Sequence, residues 1–567
     1  MTDTLTQPAA VDLTPALGAA ATATPAAVAP APVLAEPPAG RFDYRWLALF
    51  VVLGGSIMTI LDATVVNVAI PTLQNAFNVG SYSEIAWVIT GYSLAQGAVI
   101  PITGWATDRF GTKRLYLVSL FLFTAASIAC GLAWNLPVLI LFRVLQGLGG
   151  GMLMPIGLTV IMRAFGPSQM GRVMGYFGIP LLIAPALGPV LGGWFSQDFS
   201  WRLIFFINIP VGVVSFAAAW RLLRETPTSR AFRLDWIGLF TATPAVVALM
   251  YAMSVSITAG WGSPEVIGLL VAAAVLMAVF IWRQLTAEQP LLHLSLFSDA
   301  TFSWSIVLSF VLVTALFGAV FLLPVFLQSV HGYGPLDTGL FLLPQALVAA
   351  ALMPVGGRLS DRIGPRPVVM GGLIVLAISS VVLARLDAQT GVAFIVVAMM
   401  LRGGAMAFAM MPGMSAGLAR IPRNLTSRAS SITNTTQRVA QSLGIALLVT
   451  FLSAQSGTAA SQATCAPSAH VVTVSGAGSA EALCASLEQR AAHASQNSGE
   501  GTAASRVINT GDAEYDAFLT AYGNQVTSTA FDRTFALLAI VALLGLIPAW
   551  FLRKPDLQAG EPAPVAA

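Results

Sequence analysis

GWATDRFGTKR, at residues 104–114, has a second copy in this chain, GRLSDRIGPRP, at residues 357–367. Both copies follow the pattern G-x-x-x-D-R-x-G-x-[KR]-x and both come directly after a long apolar segment. Internal duplication of this kind is typical of secondary transporters, whose substrate site lies near the middle of the membrane between two related halves. The repeat therefore predicts two equivalent halves, with any extra helices inserted between them.

The composition agrees with a membrane protein and argues against several soluble classes. Of the 567 residues, 56% are apolar and 9% are charged, whereas soluble domains contain about 25% charged residues. The two lysines, Lys113 and Lys554, do not follow glycine, so the chain has no phosphate-binding GK[ST] loop and ATP-driven transport is not expected. Four scattered histidines and three cysteines give no metal-ligand spacing. We expect no metal, no cofactor and no nucleic-acid partner.

Apolar segments long enough to cross a bilayer recur along the whole chain. The hydrocarbon core is about 30 Å thick and requires about 20 residues per helix. We therefore predict an all-α polytopic fold with fourteen transmembrane helices, near 46–72, 85–105, 115–134, 138–162, 173–195, 203–223, 236–257, 265–284, 303–328, 338–357, 368–387, 392–417, 432–453 and 531–552. The GWGSP turn at residues 260–264 separates the seventh and eighth.

The distribution of basic residues predicts the orientation, because Lys and Arg concentrate on the cytoplasmic side. With the N-terminus in the cytoplasm, five arginines fall outside the cell: Arg202, Arg385, Arg490, Arg506 and Arg533. Arg143 and Arg402 fall within helices, and all other basic residues fall on the cytoplasmic side. Fourteen spans return Arg553 and Lys554 to that same side. We therefore expect a cytoplasmic-membrane protein with both termini inside.

The repeat and the spans together predict the domain organisation. Residues 1–42, rich in Ala, Pro and Thr, are expected to form a disordered cytoplasmic tail, and residues 554–567 a second tail. The membrane part divides into an N-terminal six-helix half, two inserted linker helices with a loop, and a C-terminal six-helix half, at 43–224, 225–300 and 301–553.

The last half includes an exported polar loop at 454–530. That loop contains Cys465 and Cys484 in an oxidising compartment. A disulfide between them and two free thiols both remain open.

The first span contains LDATVVNVAIP, residues 61–71, in which Asp62 is a carboxylate within an apolar helix. A charge at the bilayer centre costs about 2.5–3.5 kcal/mol on insertion scales, and such groups face the bundle interior. Burial favours the neutral carboxyl, so Asp62 could exchange a proton during transport. Arg143 is its natural electrostatic partner. The alternatives are a structural acid held by hydrogen bonds and an arginine that only bonds helix to helix.

Five motifs in order carry a resemblance to a known family. They are LDATVVNVAIP, GWATDRFGTKR, LFRVLQGLGGG (141–151), APALGPVLGG (184–193) and WRLIFFINIPVG (201–212). From about residue 42 to 552 the chain resembles the fourteen-helix drug:proton antiporter branch of the major facilitator superfamily. The motif in helix 5 departs from the family at its first residue, where Ala184 replaces the usual glycine.

The resemblance implies roles for three groups of residues. Asp62 and Arg143 are implied in proton coupling. Asp108 is expected near the start of helix 13, and the basic residues after it are expected to pair with acids across the halves. The conformational latch comprises Gly104, Asp108, Arg109, Gly111, Lys113 and Arg114, with Asp361 and Arg362 in the second copy. A hinge in helix 5, expected to pack against helix 10, comprises Pro185, Gly188, Pro189, Gly192 and Gly193.

The predicted function is proton-coupled export of amphipathic, aromatic and cationic compounds by alternating access. Residues expected near the substrate cavity are Trp87, Tyr92, Gln146 and Met154. The expected partners are small molecules, protons and membrane lipids, with a monomeric chain and a periplasmic adaptor only where the host has two membranes. Three alternatives stay open: an exporter dedicated to one endogenous metabolite or antibiotic, a non-transporting sensor with the exported loop as its domain, and a membrane enzyme.

Overall fold

In the computed structural model, the described residues are 43–79, 82–226, 228, 233–387, 389–463, 465–496 and 512–554. The predicted tail at 1–42 and all but the first residue of the second tail lie outside these residues. Every regular element in the described part of the chain is helical. Fourteen of these helices are long and apolar enough to cross a membrane, which confirms the predicted number and fold class.

Of the fourteen membrane helices, four contain a one-residue break. The first seven are helix 1 Tyr44–Val68, helix 2 Tyr82–Phe110, helix 3 Thr112–Gly131, helix 4 Leu136–Ala164, helix 5 Met170–Phe177 with Ile179–Asp198, helix 6 Leu203–Phe206 with Asn208–Leu222, and helix 7 Trp236–Ala259. Helix 1 continues beyond its break as Ile70–Phe77.

The second seven are helix 8 Pro264–Thr286, helix 9 Ala300–Ser329, helix 10 Pro335–Ile363, helix 11 Pro365–Leu383, helix 12 Val392–Leu418, helix 13 Thr426–Gln462 and helix 14 Ala513–Leu544 with Leu546–Trp550. We call the side of the bundle where helix 1 begins and helix 14 ends the terminal face. The opposite side is the loop face.

The duplicated motif produces the same turn in each half. Gly111 separates helix 2 from helix 3 with φ of 93°, and Gly364 separates helix 10 from helix 11 with φ of 95°. These two glycines occupy the same position in the two copies of the motif. A positive φ is readily adopted only by glycine, so the motif fixes a tight connection at the terminal face of both halves.

Of the two inserted helices, helix 7 packs against both halves, and helix 8 packs mainly against helix 7. Helix 7 is bonded to helix 2, since the Thr243 hydroxyl donates to the Ala98 carbonyl at 3.1 Å. Its far end joins helix 13 through a cluster that contains Met253 and Ala446. Trp261, in the turn after helix 7, donates to Thr450 of helix 13 at 2.7 Å.

The polar segment predicted at 454–530 is partly helical in the structure. Helix 13 continues to Gln462 and helix 14 begins at Ala513, and two further helices, Ala469–Ser475 and Ala480–Gln496, lie between them. A disulfide joins Cys465 to Cys484. The Tyr522 hydroxyl donates to the Ala460 carbonyl at 3.0 Å and connects the two extended helices.

Candidate functional site

Asp62 and Arg143 form a buried ion pair inside the N-terminal half. The Arg143 Nη1 atom lies 2.7 Å from Asp62 Oδ2, and the side chains of Arg143 and Asp62 are 1% and 0% exposed, respectively. The other carboxylate oxygen, Oδ1, accepts hydrogen bonds from the amides of Gln146 and Asn208, each at 2.9 Å. Helices 1, 4 and 6 therefore each contribute to what we call the Asp62 cluster: Asp62, Ser127, Arg143, Gln146 and Asn208.

Further bonds hold the cluster in place. Arg143 also donates to the Val88 carbonyl at 3.1 Å and to Gln146 at 2.8 Å. The ring of Tyr92 lies 3.9 Å from its guanidinium carbon, a cation–π contact. Ser127 of helix 3 accepts from Gln146 and Asn208, both at 3.1 Å, and so joins a third partner helix to the network.

Glycine in helix 4 allows these side chains to meet. A Cβ at Gly147 would lie 2.5 Å from the Tyr92 carbonyl oxygen, and one at Gly151 would lie 2.7 Å from the Gln96 carbonyl. Because real Cβ contacts are not that short, helices 2 and 4 can approach this closely only with glycine at both positions. The close approach places Tyr92 over Arg143.

The arrangement links the protonation of Asp62 to the position of Arg143. Arg143 stays charged in a protein, and a buried charge that loses its partner is destabilised by about 3–5 kcal/mol. A proton added to Asp62 would remove the charge that pairs with Arg143. The cluster must then rearrange, so it can convert a change of protonation into movement between helices 1, 4 and 6.

Asp108 lies where the resemblance predicts it, at the start of helix 13. Its Oδ1 atom accepts from the Ser427 hydroxyl at 2.6 Å and from Arg163 of helix 4 at 3.0 Å. Arg428 lies 3.7 Å from the other oxygen, Oδ2. Asp108 belongs to the N-terminal half and Ser427 to the C-terminal half, so this carboxylate joins the halves at the terminal face. A Cβ at Gly104 would be 3.2 Å from the Ser427 carbonyl oxygen, which makes this contact close.

Asp361 makes the equivalent contact in the opposite direction. Its two oxygens accept from the backbone N–H groups of Gly171 at 2.9 Å and Arg172 at 2.8 Å, in the first turn of helix 5. The unpaired N–H groups and the partial positive charge of a helix N-terminus favour a carboxylate. Thus helix 2 reaches helix 13, and the matching helix 10 reaches the matching helix 5. The carbonyl of the neighbouring Arg362 accepts from Lys554 at 3.2 Å.

The prediction that Lys113 and Arg114 pair with acids across the halves is wrong. Arg114 lies 3.6 Å from Glu225, which follows helix 6 at the start of the inserted segment and not in the C-terminal half. The backbone N–H of Lys113 donates to that carboxylate at 3.1 Å, and its ammonium group contacts the Trp220 carbonyl. Glu225 is close because Gly111 has no side chain to exclude it. The proposed role of Arg109 stays a prediction.

The helix 5 motif packs against helix 10, as expected, and also against helix 1. Pro189 lies next to Gly339 of helix 10. Gly193 faces Leu336 of helix 10, but Gly188 and Gly192 face helix 1. A Cβ at Gly192 would lie 2.8 Å from the Val65 carbonyl oxygen. The helix continues through Pro185 and Pro189, and its break comes earlier, at Gly178. The motif is therefore a packing surface between helices 1 and 10 in this state, and its role as a hinge stays a prediction.

The residues predicted near the cavity separate into different environments. Trp87 is 40% exposed and its ring lies 5.6 Å from that of Tyr251 on inserted helix 7, so it does not line an inner cavity. Tyr92 and Gln146 are nearly fully buried and belong to the surroundings of Asp62. Met154 is half-buried against the large apolar core. The predicted cavity set is wrong for Trp87, because that face of helix 2 meets the inserted pair.

The sequence prediction did not include two polar residues that the structure places inside the membrane helices. Asn208 completes the Asp62 cluster, and only its place in the WRLIFFINIPVG motif marked it as unusual, as a polar residue in an apolar run. Arg438 was placed on the cytoplasmic side, although the predicted span 432–453 contains it. In the structure it lies well inside helix 13 and is half-buried.

Comparisons with known proteins identify the family. The family model described as Major Facilitator Superfamily matches residues 52–445. The chain is 34% identical over 408 residues to the Multidrug resistance protein B homolog of Mycobacterium tuberculosis (strain CDC 1551 / Oshkosh), covering 70% of this chain and 75% of that protein. It is 34% identical over 397 residues to the Multidrug export protein EmrB of Haemophilus influenzae, covering 69% and 77%.

The fold is also similar to that of a solved structure. The structure matches that of a double Trp mutant of XylE with a TM-score of 0.51 at 13% identity, over 88% of this chain and 99% of that one. The family model matches more than half of the chain, the described residues form fourteen candidate membrane helices, and the relatives are named for multidrug resistance and export. This chain belongs to the major facilitator superfamily and is a transporter, not an enzyme.

Proposed function

We propose that this protein exports amphipathic small molecules across the cytoplasmic membrane in exchange for protons, with both termini in the cytoplasm. The observation that carries the proposal is the Asp62 cluster, because its ion pair with Arg143 is fully buried within the membrane-spanning helices. Relatives named for multidrug resistance and export agree with this cargo class. No nucleotide or other cofactor enters the proposal.

Protonation of Asp62 is the proposed coupling step. With Asp62 ionised, Arg143, Gln146 and Asn208 hold helices 1, 4 and 6 together. Proton binding would release Arg143 and change the packing of these helices, which line one half of the transporter. The terminal face, where Asp108 and Asp361 cross between the halves, would then open or close.

The proton gradient is sufficient to drive such export. A membrane potential supplies about 2.3 kcal/mol per charge per 100 mV, and about 1.4 kcal/mol corresponds to a tenfold concentration ratio. One proton moving inward thus supports roughly a fifty-fold gradient of a neutral compound per 100 mV, before any pH difference is added.

Asp62→Asn tests the coupling step. We expect it to abolish dye efflux driven by a proton gradient in proteoliposomes, while exchange of dye between equal concentrations on both sides persists. The amide keeps the size of the side chain and an acceptor oxygen but cannot bind the proton. Transport in the wild type should stop with a protonophore.

A matched control is Asp235→Asn. Asp235 is also a buried aspartate bonded by an arginine and an amide, at 3.0 Å from Arg283 and 3.0 Å from Gln284, but it caps helix 7 outside the cluster. This variant should keep gradient-driven efflux. Undiminished gradient-driven efflux in Asp62→Asn would contradict the proposal.

A further inference from the structure

Arg438 is a charged side chain inside helix 13 that neither the Asp62 cluster nor the terminal-face contacts use. It comes twelve residues after the helix begins at Thr426. At 1.5 Å per residue it lies about 18 Å along the helix from the terminal face, near the middle of a core about 30 Å thick. Charged residues at that depth are rare and mark substrate or ion pathways.

The three arginines within the membrane interior differ in their partners. Arg143 is neutralised by Asp62. Arg402 is 1% exposed and donates to the Ser380 hydroxyl at 2.8 Å and to the Ala315 carbonyl, so it is sealed in the protein. Arg438 is half-buried, and in the described part of the chain it donates one hydrogen bond, to Gln441 at 3.4 Å. Among the described residues, no Asp or Glu forms an ion pair with it.

The surroundings of Arg438 are polar on its own helix. Thr435 precedes it by three residues and Gln441 follows by three, so all three lie on one face of helix 13. The Thr435 hydroxyl is buried and has no hydrogen-bond partner in the described part of the chain. An unmade bond from a buried polar group is unfavourable by about 1–3 kcal/mol unless a ligand completes it.

This face of helix 13 is directed at the N-terminal half. Helix 13 packs against helix 2, with Ser431 next to Gly104 at the terminal face. Arg438 comes two turns further into the membrane on the same side of the helix as Ser431. One turn nearer the terminal face than Asn434, Ser430 donates to the Pro155 carbonyl of helix 4 at 2.7 Å, so this side of helix 13 lies against the N-terminal half. Arg438 therefore lies between the two halves.

We propose that Arg438 binds the anionic group of the exported compound, so that the cargo is an amphipathic organic anion with a carboxylate; this rests on the proposed export function. The guanidinium group has five N–H donors in a plane and binds carboxylates with two parallel hydrogen bonds. Thr435 and Gln441 are placed to bond the same group. A membrane potential that is negative inside also drives an anion outward.

The proposal replaces the expectation of cationic cargo. That expectation required a carboxylate accessible to the cargo, but both oxygens of Asp62 are occupied by Arg143, Gln146 and Asn208. Arg438 is half-buried, and its side chain offers a positive charge instead.

The test compares two dyes on the same xanthene ring system, fluorescein as the anion and a rhodamine ester as the cation. In proteoliposomes of the full chain with a proton gradient, we expect wild type to transport fluorescein in preference to the rhodamine ester. Arg438→Gln should reduce fluorescein transport at least tenfold and leave the rhodamine ester unchanged or improved. Arg438→Lys, which keeps the charge but not the two-bond geometry, should fall between them.

Arg366→Gln is the matched control, because Arg366 is a half-buried arginine that stacks on Trp550 at the terminal face. It should transport both dyes as wild type does. Preference of wild type for the rhodamine ester would overturn the proposal, and so would an equal loss of both dyes in Arg438→Gln, which would indicate a structural role.

A binding measurement separates this proposal from the proposed export function. If wild type transports neither dye, export of such compounds fails as a function. Binding of fluorescein to the detergent-solubilised protein, measured as a rise in its unfolding temperature, then tests the anion site without any transport. Stabilisation of wild type that is lost in Arg438→Gln supports the anion site, and no stabilisation of wild type contradicts it.

Discussion

Asn208 shows how much the buried carboxylate depends on a neutral neighbour. Its amide donates to Asp62 at 2.9 Å and to Ser127 at 3.1 Å, and the residue is 1% exposed. Removing one partner of a buried polar group is unfavourable by about 1–3 kcal/mol. The Asp62–Arg143 pair therefore relies on a third helix to be satisfied.

Asn208→Leu is expected to lower the free energy of unfolding of the purified protein by about 1–3 kcal/mol. It is also expected to change the pH dependence of transport. The leucine fills the space but donates no hydrogen bond, so Asp62 Oδ1 keeps only Gln146. Unfolding in detergent and transport rates across a pH series measure both effects. Gln389→Leu is the control, because Gln389 lies in an exposed turn. Asn135 is avoided because its side chain caps helix 4. An unchanged pH profile would show that Asn208 only supports packing.

The residue pairing could be predicted in part from the sequence. Asp62 and Arg143 stand out because charged side chains in apolar helices face the bundle interior and form ion pairs there. Asn208 and Ser127 do not stand out, since neutral polar residues are tolerated in membrane helices without a charged partner. Arg438 belongs with Asp62 and Arg143, since the predicted span 432–453 contains it, although its neighbours in TSRASSITNTTQRVAQS at 426–442 are polar. Only packing against other helices makes that polar segment part of the membrane interior.

At the level of helices, run length and mean hydropathy were enough to predict all fourteen spans. The same measure underestimates the length of helices 13 and 14, because hydropathy detects only the part of a helix that lies within the hydrocarbon core. Helix 13 reaches Gln462 and helix 14 begins at Ala513. Polar bonds, such as the one from Tyr522 to the Ala460 carbonyl, stabilise these extensions and leave no apolar pattern to detect.

A pH-sensitive contact joins the short helix Ala469–Ser475 to the start of helix 14. His470 Nε2 lies 2.7 Å from Asp512 Oδ2, and the hydrogen bond that the imidazole donates to this carboxylate raises the pKa of His470. A group with a raised pKa in the folded state stabilises it below its unfolded pKa of about 6.5, and the effect is lost as the pH rises through the raised value. The Asp512 carboxylate stays ionised throughout this window, since its own pKa is lowered by the Tyr515 N–H and by His470.

We therefore expect hydrogen exchange in Ala469–Ser475 to be slower at about pH 5.5 than at about pH 8.5, after correction for the intrinsic rates. In His470→Gln the difference should disappear. Protection that is the same at both pH values in wild type would rule out a contribution of this contact to local stability.

On the scale of the whole molecule, the two halves are joined at the terminal face by a pair of related contacts. Asp108 binds Ser427 and Arg163, whereas Asp361 binds two backbone N–H groups of helix 5. Both contacts cross between the halves, so both must break before that face can open. The repeated motif thus acts twice, once from each half.

The unequal partners predict unequal effects of the two aspartates. Asp108 has two arginines and a hydroxyl around it, so Asp108→Asn removes more favourable interaction than Asp361→Asn, about 1–2 kcal/mol against less than about 1 kcal/mol. With 1.4 kcal/mol per tenfold change, Asp108→Asn should raise the population open at the terminal face about tenfold, and the double variant should raise it further. Spin labels on cysteines introduced at Arg221 and Ile363 would measure this opening as a longer distance between the labels. The native cysteines do not interfere with labelling, since Cys130 is buried and Cys465 is bonded to Cys484. Equal distance distributions in wild type and the double variant would show that these carboxylates do not control opening, and a larger effect of Asp361→Asn would reverse the proposed order of the two contacts.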